Sequence, residues 1–203
     1  MLVAAPSKTI LYTRTMPREA PVRQATSFDE FLEFEIHSQE RHEFVDGHLF
    51  VMPGGTPRHN RLTINLLMRL DPVVTQQGCV AFMNDVLVRT PDEIGYYPDL
   101  FVVCDSSQRS MRVQRNPSII VEVLSDSTEK FDRTEKLRNY RTIPSLELYV
   151  LLEQDSILAE VYAKQSDGSW RHDVLREGSS IAFSSLELKV PLADLYENLP
   201  DVE

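Results

Sequence analysis

Two acidic residues of this chain stand where acids are costly. Asp99 follows Pro98 at the head of the run DLFVVC, and Glu122 interrupts the apolar run SIIVEVL. An ionised carboxylate inside a buried strand is unfavourable unless it is paired, protonated or bound to a cation. If the two runs are neighbouring strands, their acids can converge on a divalent ion, and oxygen ligands of this kind suit Mg2+ or Mn2+. Lys136 stands one to two turns into the helical pattern that follows the Glu122 run. Its long stem can carry an ammonium back over the strand ends, there to orient or help deprotonate an attacking water and to offset charge developing on a phosphate. Tyr140 and Asp132 flank it at four residues on either side. Each acid or base also has an ordinary alternative: Asp99 as a strand-entry aspartate after proline, Glu122 as a core acid paired with an arginine, Lys136 as a solvated helix lysine.

The elements that must position these residues are readable from periodicity and turn chemistry. Residues 1–25 carry three prolines and no sustained period, which reads as an extended or loosely docked arm, with a single domain over 26–203. Ser27 precedes Glu30 at capping-box spacing, and Phe28, Phe31, Leu32 and Ile36 follow at helical intervals. HEFVDGHLFVM reads as a β-hairpin around Asp46-Gly47. A second helix runs from about His59 to Gln76 on Leu62, Leu66, Leu67 and Leu70, and Pro72 is expected to end or kink it. CVAFM, DVLVRT, DLFVVC and SIIVEVL read as central strands, the last two covered on both faces. Residues 132–141 read as a helix capped by Asp132, with Pro144 shortly after its end. LELYVLL, ILAEVYAK, WRHDVLRE and LELKV follow as further strands, and PLADLYENL as a closing helix with Pro191 at its first position. The class is α+β: a central mixed sheet with at least one helical crossover, flanked by helices and extended by C-terminal strands.

The order of these segments resembles a known family. YYPDLFVV, IIVEVLS and STEKFDRTEKLRNY, preceded by the HEFVDGHLFVMPGG hairpin and the helix containing His59, are similar to the Uma-two family of restriction-endonuclease-like proteins, within the PD-(D/E)xK nuclease superfamily. The resemblance covers roughly residues 26–195. It implies a restriction-endonuclease-like core in which Asp99 and Glu122 are metal-binding acids at the ends of adjacent strands. Val123 would add only its backbone carbonyl. Where the superfamily pattern places a lysine, two residues after Glu122, this chain has Leu124. In the resembling family the lysine sits in the next helix, which maps onto Lys136, and an acid of the hairpin maps onto Glu43. His59 could donate to a phosphate, although a histidine at a helix start is more often structural. Asp85 reads as a polar strand-edge residue and Trp170 as sheet packing.

Composition bounds the function. With 203 residues the chain can bury a core without a disulfide or a structural metal. A net charge of -10 excludes a generally basic nucleic-acid coat. The charge is uneven: residues 109–141 carry +3, against -5 before them and -8 after. Arg109, Arg112, Arg115, Arg133 and Arg138 in that stretch are candidates for DNA phosphate contacts, which position a duplex without reading its sequence. Cys79 and Cys104 stand alone in apolar surroundings and read as buried free thiols. The N-terminal residues are too broken for a signal peptide and no run approaches a membrane span, so a reducing cytoplasm is expected. These features lead to a Mg2+- or Mn2+-dependent DNA endonuclease acting as a homodimer. The alternatives are a catalytically silent nucleic-acid-binding or interaction module of the same fold, and a hydrolase of another phosphate ester.

Overall fold

The computed structural model describes residues 20–107 and 111–201. Most of the N-terminal arm, and Arg109, lie outside the described residues. In chain order the strands are β1 (Arg23–Gln24), β2 (His42–Val45), β3 (His48–Val51), β4 (Val80–Met83), β5 (Leu87–Arg89), β6 (Gly95–Tyr96), β7 (Leu100–Val103), β8 (Val113–Gln114), β9 (Ile119–Val123), β10 (Leu148–Leu152), β11 (Leu158–Lys164), β12 (Trp170–Arg176), β13 (Ser180–Phe183) and β14 (Leu188–Pro191). The helices are α1 (Phe28–His37), α2 (Pro57–Gln76), α3 (Glu129–Phe131), α4 (Leu137–Tyr140) and α5 (Leu192–Leu195), with a π-helical turn, Asp132–Lys136, joining α3 to α4.

Local chemistry explains how the first elements begin. Ser27 caps α1 by accepting the Glu30 amide at 3.1 Å, while the Glu30 carboxylate reaches back to the Thr26 amide and hydroxyl, both at 2.7 Å. Asp46 and Gly47 both take positive φ, 49° and 80°, as a two-residue hairpin turn of the tightest kind requires. Thr56 caps α2, and Pro57 takes its first position. The helix then runs unbroken through Pro72 to Gln76, contrary to the expected stop. Leu62, Leu66, Leu70 and Val74 lie buried on one face of it. Their packing continues on both sides of the proline and outweighs the one backbone hydrogen bond that proline removes.

The described residues form two six-stranded sheets and a two-stranded antiparallel pair, β13 and β14. One six-stranded sheet has the order β12-β11-β10-β9-β7-β4, the other β1-β3-β2-β6-β5-β8. In the first, β9 and β10 run parallel, joined by the helical crossover 129–140, and the remaining pairs are antiparallel, so the sheet is mixed. One face of this sheet packs on α2 and the C-terminal elements through Leu100, Val102, Val121, Val150 and Leu192. The opposite face meets the crossover helix and the second sheet through Phe101, Ile120, Tyr140, Tyr149 and Val88. This is why β7, β9 and β10 read as continuous apolar runs: each is buried on both sides. α1 closes the far side of the second sheet through Phe28 and Phe31.

Three expectations are corrected. Cys79 and Cys104 are bonded to each other, and Cys104 is exposed. The β4–β7 register pairs Val80 with Val103, so one further step sets the two cysteines side by side across the strands. Asp132 is no cap: it lies inside the crossover helix with its carboxylate buried against Lys136. Pro191 precedes α5 as its cap residue instead of opening it. The loop carrying Arg112 and Arg115 contains a strand, β8, which pairs in parallel with β5. Trp170 packs where expected, its ring 5.3 Å from the Arg141 guanidinium.

Candidate functional site

Strand register brings the two acids together. β7 and β9 pair Leu100 with Val121, so one step onward Asp99 faces Glu122. The Asp99 amide donates to Glu122 Oε2 at 3.2 Å, and the Val123 amide donates to Asp99 Oδ2 at 2.7 Å. Residues on alternate sides of β9 face opposite layers. Glu122 therefore points with Ile120 towards the crossover helix.

That helix supplies the counter-charge. Lys136 Nζ lies 3.2 Å from Glu122 Oε1, 3.0 Å from Glu43 Oε1 and 3.1 Å from Asp132 Oδ1. Tyr140 donates its hydroxyl to the same Glu122 oxygen at 3.0 Å. Asp132, Lys136 and Tyr140 share one side of the helix because they are spaced by four, and a π-helical turn holds the first two in place; such turns recur at functional sites. The four expected side chains, Asp99, Glu122, Lys136 and Glu43, are thus assembled around one cavity of about 430 Å³. Sequence reasoning took Asp132 for a cap and His59 for a structural residue; both line that cavity. For Asp132 the usable signal was its i, i+4 spacing to Lys136.

The electrostatics are those of an over-filled acid site. Burial pushes the Glu122 carboxyl well above its usual range, reinforced by Asp99, Asp132 and Glu43 and only partly offset by Lys136. Burial likewise raises Asp132. Burial alone would favour a neutral Lys136, but the facing acids Asp132, Glu122 and Glu43 outweigh it and hold the ammonium charged. For His59, desolvation is outweighed by Asp99, Asp132 and the Val123 carbonyl, and its pKa is raised. Four carboxyl groups therefore crowd one lysine and one histidine, and burial opposes ionising all four at once.

The surrounding layer fixes the pieces. Glu35, His42 and Tyr97 form a buried cluster: Glu35 accepts the His42 backbone amide at 3.0 Å and the Tyr97 hydroxyl at 3.0 Å, and lies 2.9 Å from the His42 ring. His42 immediately precedes Glu43, and Tyr97 lies two residues before Asp99, so this cluster ties both acid-bearing segments to α1. Arg41 lines the cavity, its guanidinium 5.9 Å from the Tyr97 ring. Arg115 and Arg138 are exposed. Arg133 points elsewhere, into Glu129, Glu153 and Glu160.

The sequence model of the family Uma2, described as "Putative restriction endonuclease", matches residues 28–193. The chain belongs to the Uma2 family. Two relatives come from Synechocystis. Uncharacterized protein sll1609 is 33% identical over 164 residues, covering 78% of this chain and 93% of its own. Uncharacterized protein slr1290 is 30% identical over 173 residues, covering 84% and 91%. Among solved structures, a "putative nuclease belonging to DUF820" from Anabaena variabilis superposes with a TM-score of 0.71 at 17% identity, over 85% of this chain and 98% of that one. This likeness carries the restriction-endonuclease-like fold of the Uma2 chain. Nucleases of this fold generally use divalent metals. No group of three or more His, Cys, Asp or Glu side chains among the described residues is disposed to hold a metal by itself. The donors that fit a hard cation here are the Asp99 and Glu122 carboxylates, and the uncompensated charge around them favours one.

Proposed function

We propose that the protein is a metal-dependent endonuclease that hydrolyses DNA phosphodiester bonds. The observation that carries this reading is the opposition of Asp99 and Glu122 at the ends of adjacent strands, with the Lys136 ammonium 3.2 Å from Glu122 inside one cavity. Leu124 occupies the position where the superfamily pattern has its lysine, and Lys136 reaches the same acid from the following helix. This argues against a silent module.

Asp99 and Glu122 would hold a Mg2+ or Mn2+ ion, with the Val123 backbone as the neighbouring main-chain group. When bound, the ion activates water and offsets the charge gathering on the phosphate. The chain's own residues do the rest. Lys136 faces three acids that favour its charged form, so it serves as a positive charge and hydrogen-bond donor that orients the attacking water. Glu43 presents a carboxylate to the same space, where it can accept a hydrogen bond from water. Arg41 in the cavity lining suits a backbone phosphate, and Arg109, Arg112, Arg115 and Arg138 would be further DNA contacts. Two copies acting as a homodimer would set one cavity against each strand of a duplex. The proposal places the protein in the cytoplasm, where the Cys79–Cys104 bond is open to reduction. No helix among the described residues is long and apolar enough to cross a membrane.

The test is incubation with supercoiled and linear DNA plus Mg2+ or Mn2+, beside Asp99→Ala, with calorimetry for the metal. Cutting by the wild type that the variant loses is the expected result. No cutting and no metal bound would end the reading.

A further inference from the structure

His59 reaches the acid pair from a different element, forty residues earlier in the chain, and three independent features aim it there. Its Nε2 lies 3.0 Å from Asp99 Oδ2. It sits in the first turn of α2, whose cap, Thr56, is fixed by Gln154: the Thr56 hydroxyl donates to Gln154 Oε1 at 2.5 Å, and the Gln154 amide donates to the Leu124 carbonyl just past β9. The start of α2 is thereby tied to the end of the strand that carries Glu122. Finally, a Cβ placed on Gly55 would come within 3.0 Å of His59 Nδ1 and 3.4 Å of its Cγ, so the glycine leaves room for the ring in this one position.

We propose that His59 is a positioning residue for the acid pair: it clamps Asp99 Oδ2 against the end of β9, so that the other oxygen of Asp99 is the one presented to the cavity. Oδ2 then accepts from two donors, the His59 ring and the Val123 amide at 2.7 Å. A carboxylate held twice on one oxygen cannot rotate freely about its last bond, and a fixed donor set binds a cation more tightly than one that must be ordered on binding. The purpose of the clamp rests on the nuclease reading, but its existence can be tested without metal.

The metal-free measurement is amide hydrogen exchange at Val123, whose N–H reports where the Asp99 carboxylate sits. His59→Ala should speed exchange at Val123 by about ten-fold or more while leaving Ile120 in the same strand unchanged, and Gly55→Ala should do the same by displacing the ring without deleting it. His59→Gln, which keeps a donor, should restore part of the protection. With Mn2+ present, calorimetry should show affinity roughly ten- to a hundred-fold weaker in His59→Ala, the range seen when a group behind a metal ligand is removed. DNA turnover should fall through kcat with KM little changed. Unchanged Val123 exchange in His59→Ala would overturn the inference, whatever the metal result. Mn2+ affinity that is unchanged or tighter in that variant would overturn it too, tighter binding meaning that the ring competes with the ion. A wild-type protein that binds no Mn2+ would sink the nuclease reading and leave the clamp to be judged by exchange.

Discussion

Lys136 and Arg133 lie three residues apart in the crossover helix, and each cation faces three carboxylates. Lys136 meets Glu43, Glu122 and Asp132, all nearly buried. Arg133 meets Glu129, Glu153 and Glu160 with its side chain 28% exposed. The outcomes are opposite. Around Arg133, burial would raise Glu160, but hydrogen bonds from Arg133, Tyr162 and His172 win and its pKa is lowered. Around Lys136, burial wins over the ammonium, and Glu122 is raised. A planar fork of donors at a wet surface can satisfy several carboxylates, each by its own N–H. A compact ammonium in a dry site, with Asp99 adding yet another negative charge, leaves the acids short of positive charge. The first cluster is a surface staple; the second holds more acid than its one lysine offsets.

The largest effect that could break this comparison is catalytic. Lys136→Met should lower DNA cleavage by about 10²–10³-fold, the scale for losing one preorganised charge donor. Arg133→Met should leave cleavage within about two-fold, because its partners lie outside the cavity. Equal losses in both variants, measured on a nicked-plasmid assay, would mean that the two clusters are not functionally distinct.

Stability comes next. Removing Lys136 strands three buried acids, and breaking a buried ion pair from one side costs roughly 3–5 kcal/mol. Removing Arg133 should cost roughly 1 kcal/mol or less, as for exposed pairs. Urea unfolding of both variants without metal gives the two numbers, and Mg2+ should rescue Lys136→Met more than Arg133→Met if the vacated acids accept the ion.

The pH dependence should carry opposite signs. The Glu122 carboxyl is raised on folding, so its contribution is present below the ordinary glutamate value of 4.5 and is lost as pH rises through the higher folded value. In EDTA, the protein should therefore lose stability on going up in pH through that window, and Glu122→Gln should flatten the loss. Glu160 is lowered, so its contribution is present above 4.5 and is lost as pH falls through the lower folded value. Glu160→Gln should flatten that acid limb instead. Stability curves of the two variants that change on the same side would contradict the assignment of one cluster as over-filled and the other as balanced.

The sequence made one of these clusters legible and hid the other. Asp99 and Glu122 stand out because apolar runs tolerate acids badly, and Lys136 with Tyr140 by a spacing of four; the same spacing joins Asp132 to Lys136, but a helix start with Asp reads first as a cap. His59 does not stand out, since nothing in one dimension says that the first turn of α2 lands beside β7, and Glu43 comes only through the family resemblance. The sheet orders, the unbroken α2 and the Cys79–Cys104 bond depend on register and on packing across the layers, which no local pattern encodes. Charge counting groups Arg133 with Arg112 and Arg138, because two of its three acid partners, Glu153 and Glu160, are 20 and 27 residues away.

The smallest effect is also the most specific to geometry. Raising salt from about 0.05 M to 1 M shortens the screening length from more than 10 Å to roughly 3 Å, which weakens pairs in contact with solvent and leaves buried ones nearly untouched. The Arg133 cluster sits at the surface and should contribute a few tenths of a kcal/mol less at high salt, whereas the Lys136 cluster should not respond. The difference is isolated by comparing each variant with wild type at the two salt concentrations: the Arg133→Met penalty should shrink and the Lys136→Met penalty should hold. NaCl is the salt to use, because sulfate strengthens apolar burial everywhere and would mask the shift. A Lys136→Met penalty that also shrank would mean that mobile ions screen the ammonium through the cavity as effectively as they screen Arg133 at the surface.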